Sequence, residues 1–252
     1  MSEGRRFAVL SRLGVTPTLG DVVRAALDDA LERAEAYHPP APDGSPTLAV
    51  LDAGCGRVSA LVPYRARIGR FVGADIHRPA AGSLPHLDDF VEADLCRQAD
   101  AFPPASFDLV LSSFTVEHFA DPAAAFAAIR GWLRPGGTLV LVTVNRRHPF
   151  VAAYLDLPAG PRARFQRLVK ATAADAHPLI GACNDPEAIR AALARAGYEA
   201  IRLASVGHLA RAWSRRLPTY LLGLAGDLLA QRFSSRRSTL VVSARAPEAS
   251  PG

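Results

Sequence analysis

Between Thr47 and Asn145 the chain repeats one pattern, a short and almost continuous apolar run followed by a turn and then a polar or helical stretch. The runs are TLAVLD (47–52), RFVGAD (70–75), DFVEAD (89–94), FDLVLSS (107–113) and TLVLVTVN (138–145). Runs this apolar suit strands buried on both faces, and strands separated by helices suit a parallel sheet. Between the fourth and fifth runs lies a helical segment, DPAAAFAAIRGWL (121–133), with Asp121 placed to cap it and Pro122 in its first turn. RPGG (134–137) reads as a turn into the fifth strand.

The flanking segments extend the pattern. Residues 18–37 have helical spacing, with Val22, Ala26, Leu27, Ala30, Leu31 and Ala34 on one side. HPPAPDGSP (38–46) ends that helix in a stiff linker. After Asn145 the spacing predicts helices over 162–175, 185–196 and 213–233, and strands over 198–206 and 238–246. The expected fold is α/β, a doubly wound, mostly parallel seven-stranded sheet with helices on both faces and helical insertions. The expected division is an N-terminal helix and linker at 1–46, then a domain at 47–252 with insertions at about 146–184 and 207–237.

Composition excludes several classes. The 252 residues carry a net charge of +5, almost all of the positive charge being arginine. Acids are mixed along the chain and no long basic run occurs, so a nucleic-acid partner is not expected. Three widely spaced cysteines, Cys55, Cys96 and Cys183, point to a reducing, cytoplasmic compartment rather than to disulfides or zinc. No apolar stretch reaches the length of a membrane span. The pattern H-E-x-x-H and paired cysteines are both absent, so no metal is expected.

The chemistry-bearing signal is VLDAGCG, Val50 to Gly56, a strand that ends in Asp52 and breaks at once into Gly54-Cys55-Gly56. Glycines there let backbone approach a ligand, and Cys55 between them is small. Ser59 stands where the third glycine of a dinucleotide fingerprint belongs. Asp75 ends the second run and Asp94 the third. Ligands of open parallel sheets bind beyond the carboxyl ends of the strands. An acid at the second tip can accept from a ribose diol, one at the third from an adenine amine, and one at the first lies near the turn. Three such acids suit a positively charged nucleoside better than a pyrophosphate.

VLDAGCG, VGAD, EADL, FDLVLSSFTVEHFADP and LRPGG before TLVLVTVN together resemble the successive motifs of class I S-adenosylmethionine-dependent methyltransferases, from about Leu48 to Asn145. The resemblance implies a Rossmann-like methyltransferase fold that binds S-adenosylmethionine. It implies that Asp52, Gly54 and Gly56 line the methionine end, that Asp75 holds the ribose with Ile76 on the adenine, and that Asp94 binds the adenine amine with Leu95 beside it. Ser112 and Ser113 would border the transferred methyl. The family often has a third glycine where this chain has Val58. NRRHPFVAAYLDLP and ACNDPEAIRAALARAGYE resemble, more loosely, methyltransferases of lipid, polysaccharide and secondary-metabolite pathways, which favours a small-molecule acceptor.

His118, after the fourth strand, is the candidate general base, with Glu117 as its neighbour; both can equally serve to fix the loop. Tyr37 is a candidate to close over the cofactor. LPTYLLGLAGDLLAQRF (217–233) has a wide apolar face flanked by arginines. It reads first as a cover for the sheet or substrate pocket, and second as a lid or a weak membrane-surface contact through 213–237. Two other functions compete, a methyltransferase-like protein without catalysis and a nucleotide-dependent oxidoreductase. The sequence does not specify an oligomeric state.

Overall fold

The computed structural model describes residues 18–78, 80, 82–169 and 180–249. Its centre is one seven-stranded sheet of order β3-β2-β1-β4-β5-β7-β6. The strands are β1 (Leu48–Ala53), β2 (Ile68–Asp75), β3 (Asp89–Glu92), β4 (Phe107–Ser113), β5 (Leu133–Val144), β6 (Glu199–Val206) and β7 (Thr239–Arg245). β1 to β5 pair in parallel, while β7 runs antiparallel between β5 and β6.

The two faces of the sheet follow from side-chain alternation. Leu48 and Val50 face α1 (Leu19–Tyr37), whose Val23, Leu27 and Leu31 pack with Phe71, Leu109 and Val140. Ala49 and Leu51 face the opposite layer, where α2 (Pro122–Trp132) and α5 (Pro186–Arg195) bring Phe126, Ile129, Trp132, Ile189 and Leu193. Three helix starts are capped as their sequences require. Thr18 and Asp21 form a reciprocal capping box on α1, Asp121 accepts from Ala124 N at 3.0 Å, and Asp185 accepts from Glu187 N at 2.9 Å.

Several boundaries differ from expectation. RPGG lies inside β5 rather than before it, because Leu133 already pairs with Phe107 and the register shifts at this place. β3 ends at Glu92, so Asp94 sits two residues beyond the strand. The expected helix at 162–175 is α4 (Ala159–Val169), and 170–179 lie outside the described residues. An unexpected helix, α3 (Pro149–Asp156), precedes it, with His148 Nδ1 accepting from Phe150 N at 3.2 Å. The expected helix at 213–233 is shorter, α7 (Leu217–Ala230), and a separate single turn of helix, α6 (Leu209–Ala212), precedes the expected range.

Candidate active site

The carboxyl ends of β1, β2 and β4 lie side by side, with Asp52 opposite Gly73 on one flank and Leu111 on the other. The turn after β1 is pinned from below, since Gly54 N and Cys55 N both donate to Ala74 O, at 2.7 and 3.1 Å. Gly54 has φ +80, and an added Cβ would lie 2.3 Å from Thr115 Oγ1. Only glycine fits there. Gly56 differs: its φ is +50, but a Cβ would meet nothing within 4 Å. The bare backbone at Gly56 faces open space, a candidate cradle for a ligand.

Asp75 borders this cradle. Its Oδ2 accepts from Gly56 N and its Oδ1 from His77 N, both at 3.1 Å. A carboxylate has about four acceptor sites, so two bonds leave capacity for a ligand's hydroxyls. Ile76 beside it is 46% exposed, an apolar side chain at the rim. Asp94 Oδ1 accepts from Cys96 N at 2.9 Å, and Arg97 lies 3.7 Å from Oδ2. The Leu95 side chain is buried in the core rather than exposed at the rim.

Asp52 is 2% exposed. Burial pushes its pKa up to about 7, the charge of Asp75 adds to the rise, and a hydrogen bond with Ser59 opposes it. Cys55 is buried and its thiol is pushed up to about 12, mainly by burial, which makes it an inert packing residue.

The edge from β4 supplies the other wall. Ser112 is fully buried with an unpartnered Oγ, and Ser113 is half-buried. Phe114 has φ +54, a left-handed conformation costly for an aromatic residue. Its ring stacks on His208, 6.1 Å between centroids. Burial, with the Arg211 charge, holds His208 down to about 4, so this ring is neutral near pH 7.

Glu117 is 3% exposed and its Oε2 accepts from Thr143 Oγ1 at 2.7 Å. Asn184 Nδ2 donates in turn to Thr143 Oγ1 at 2.6 Å. The Glu117 carbonyl accepts from Ile180 N and Gly181 N, at 2.9 and 3.0 Å. These bonds tie Glu117 to β5 and to the segment before α5. Its neighbour His118 is half-buried, on a 3-10 turn (Val116–His118) that follows β4.

Tyr37 does not reach this edge. Its hydroxyl donates to Glu248 at 2.6 Å and its ring lies against Gly136, at the opposite end of β5. Two site features escape the sequence patterns, the Phe114–His208 stack and the role of Thr115, whose hydroxyl packs against Gly54. Thr115 lies within the quoted FDLVLSSFTVEHFADP tract, but its contact with the turn spans 61 residues.

Known proteins similar to this chain include methyltransferases. Residues 51–141 match the family model of a methyltransferase domain. A ubiquinone biosynthesis O-methyltransferase of Xanthomonas campestris pv. campestris is 38% identical over 108 residues, 40% of this chain and 45% of that protein. Nocamycin O-methyltransferase of Saccharothrix syringae is 32% identical over 175 residues, 64% of this chain and 62% of the relative. The chain thus spans about half the length of the curated relatives it matches. Among solved structures, Haemonchus contortus phosphoethanolamine N-methyltransferase 2, in complex with S-adenosyl-L-methionine, has a TM-score of 0.53 at 16% identity, covering 88% of this chain and 53% of that one. The [4+2]-cyclase SpnF also has a TM-score of 0.53, at 17% identity over 92% of this chain and 97% of its own. At such identities the likeness is one of fold.

Proposed function

We propose, from the match of residues 51–141 to the family model of a methyltransferase domain, that the protein transfers a methyl group from S-adenosylmethionine to a hydroxyl of a small-molecule acceptor. The observation that carries the reading is the free space above Gly56 beside the Asp75 carboxylate. It is a cradle of bare backbone next to an acceptor with spare lone pairs, which fits a nucleoside with a ribose diol.

The cofactor, when bound, supplies a methyl group already activated on a positively charged sulfur. The protein's share is placement and the exclusion of water. Asp75 accepts from the ribose hydroxyls and the exposed Ile76 packs on the adenine. Asp94, with the backbone at Leu95, receives the adenine amine. Asp52 and the turn through Gly54 and Cys55 face the methionine end, while the half-buried Ser113, rather than the fully buried Ser112, borders the methyl. A carboxylate poised near neutrality, as Asp52 is, gains from a neighbouring ammonium, which favours its charged form.

A hydroxyl acceptor must lose its proton, and His118 is assigned to take it. Glu117 is assigned to hold the loop, since its carboxylate already accepts from Thr143 inside the core. The choice of a hydroxyl over an amine or carbon rests on the two O-methyltransferase relatives.

The fold also serves a cyclase, so the activity needs direct measurement. Calorimetry with S-adenosylmethionine and with NAD, followed by methyl-transfer assays on a panel of phenols and other hydroxyl compounds, tests the reading. Binding of S-adenosylmethionine alone, with transfer to a hydroxyl, is expected. Preference for NAD would replace the methyltransferase by an oxidoreductase. Binding without transfer to any acceptor class would leave a non-catalytic relative.

A further inference from the structure

We infer that the outward face of α7 docks on an anionic membrane surface. The inference is separate from the proposed methyl transfer and stands or falls without it.

α7 has two unlike sides. Inward it presents Tyr220, Gly223, Gly226, Asp227 and Ala230, all buried. The small residues let the helix lie close, since a Cβ at Gly223 would sit 2.8 Å from Leu209 O and one at Gly226 2.8 Å from the Phe150 ring. The helix's one acid, Asp227, is turned inward too. It accepts from Ala210 N at 2.8 Å and Ser238 Oγ at 3.0 Å. A helix on a water-facing surface ordinarily puts its acids outside and its leucines inside.

Outward the order is reversed. Leu217, Leu221, Leu222, Leu228 and Leu229 are exposed by 45, 51, 44, 37 and 68%. The exposed positions from Leu217 to Ala230 also include Pro218 and Ala225, and none has a polar side chain. At 100° per residue they fall within an arc of about 140°, a single face. Phe233, 58% exposed, extends the face beyond the helix.

Charge names the occupant. Arg215 and Arg216 precede the helix, and Arg232 and Arg236 follow it, Arg236 lying 5.6 Å over the Phe233 ring. Between Leu209 and Arg237 the only acid is the buried Asp227. An apolar strip with cations at both ends complements acyl chains edged by phosphate headgroups. A second copy of the same face would bring like charges together, which opposes pairing. A helix of 14 residues is about 21 Å long, too short to span a bilayer and suited to lie in its interface. No helix among the described residues is long and apolar enough to cross a membrane.

The position of the face matters. α6 and α7 lie in the connection from β6 to β7, which leaves and re-enters the sheet where Val206 and Val144 flank Thr239. That is the edge that carries Ser113 and the Phe114–His208 stack. Docking through α7 brings this edge to the membrane surface.

The test is co-sedimentation of the full chain with vesicles of phosphatidylcholine alone, or of phosphatidylcholine and phosphatidylglycerol in equal parts, at low and high salt. Binding to the anionic vesicles at low salt is expected, weakened by salt. The double variant Leu221→Glu/Leu229→Glu is expected to lower the partition at least about tenfold. Arg216→Ser and Arg232→Ser are expected to lower it by about fivefold each. Circular dichroism checks the fold of every variant, and Leu229→Ser gives a milder form of the first test. Absence of binding to anionic vesicles at low salt overturns the inference, and so does undiminished binding of the leucine variants. A concentration-dependent dimer in light scattering that the leucine variants abolish, without vesicle binding, would assign the face to a second copy and overturn it as well.

Discussion

The carboxylate of Asp75, at the tip of β2, accepts the backbone N–H of Gly56 at 3.1 Å and so holds the turn that follows β1. One side chain therefore shapes the cradle and offers it an acceptor. Asp75→Ala is expected to weaken S-adenosylmethionine binding by about tenfold or more, because charge-assisted bonds are lost. Asp75→Asn keeps a carbonyl for Gly56 and is expected to lose less. Calorimetry reads both, and a folded alanine variant with unchanged affinity would place the ligand elsewhere.

The two glycines of the turn should separate stability from binding. Gly54→Ala drives a Cβ to 2.3 Å from Thr115 Oγ1 at φ +80, so it is expected to destabilise by about 2–4 kcal/mol. Gly56→Ala meets no protein atom within 4 Å and pays only for its φ of +50, about 1–2 kcal/mol. Its larger effect is expected on cofactor affinity. Denaturant titration beside calorimetry checks the contrast, and equal stability losses in the two variants would contradict it.

Asp52 makes stability depend on pH. Its folded-state pKa of about 7 lies above the ordinary 3.8, so the folded protein keeps a proton that the unfolded chain releases between those values. The group's contribution is complete below the lower value and is lost as pH rises through the upper one, by up to about 4 kcal/mol. Asp52→Asn, which cannot ionise, is expected to flatten the decline. Denaturation midpoints across this window test it, and parallel curves for parent and variant would clear Asp52 of the effect.

His118→Ala is expected to slow turnover by about a hundredfold or more and to leave cofactor affinity nearly unchanged. Thr143→Val should act differently. It removes the donor to the buried Glu117 carboxylate and the acceptor for Asn184, at a stability cost of about 1–3 kcal/mol. Single-turnover rates and thermal melts distinguish the two, and a normal rate in the His118 variant would demote it to a loop residue.

Much of the sheet is legible in the sequence because buried parallel strands leave continuous apolar runs. β4 occupies residues 107–113, as its run indicates. What is not legible depends on partners distant in the chain. RPGG has turn composition, yet pairing of Leu133 with Phe107 draws it into β5. α3 starts at a histidine, because the His148 imidazole does the work usually left to a serine or aspartate. α7 begins only at Leu217, although the helical period starts at Trp213. In the site, Asp52, Asp75 and the glycines announce themselves by position at strand ends. The destination of Glu117 is set by Thr143, 26 residues later, and no local pattern carries that.

The antiparallel β7 has a consequence for how such a chain can diversify. Because it turns back between β5 and β6, everything from Gly207 to Ser238 leaves and re-enters at neighbouring points. Those points lie across the sheet from the β1–β2 tips, where Asp75 holds the turn after β1. Replacement of that excursion wholesale, by a longer arm, a shorter hairpin or another greasy helix, would leave the register of the first four strands untouched. Evolution can retune what the protein meets, or where it settles, without renegotiating the turn that Asp75 holds after β1.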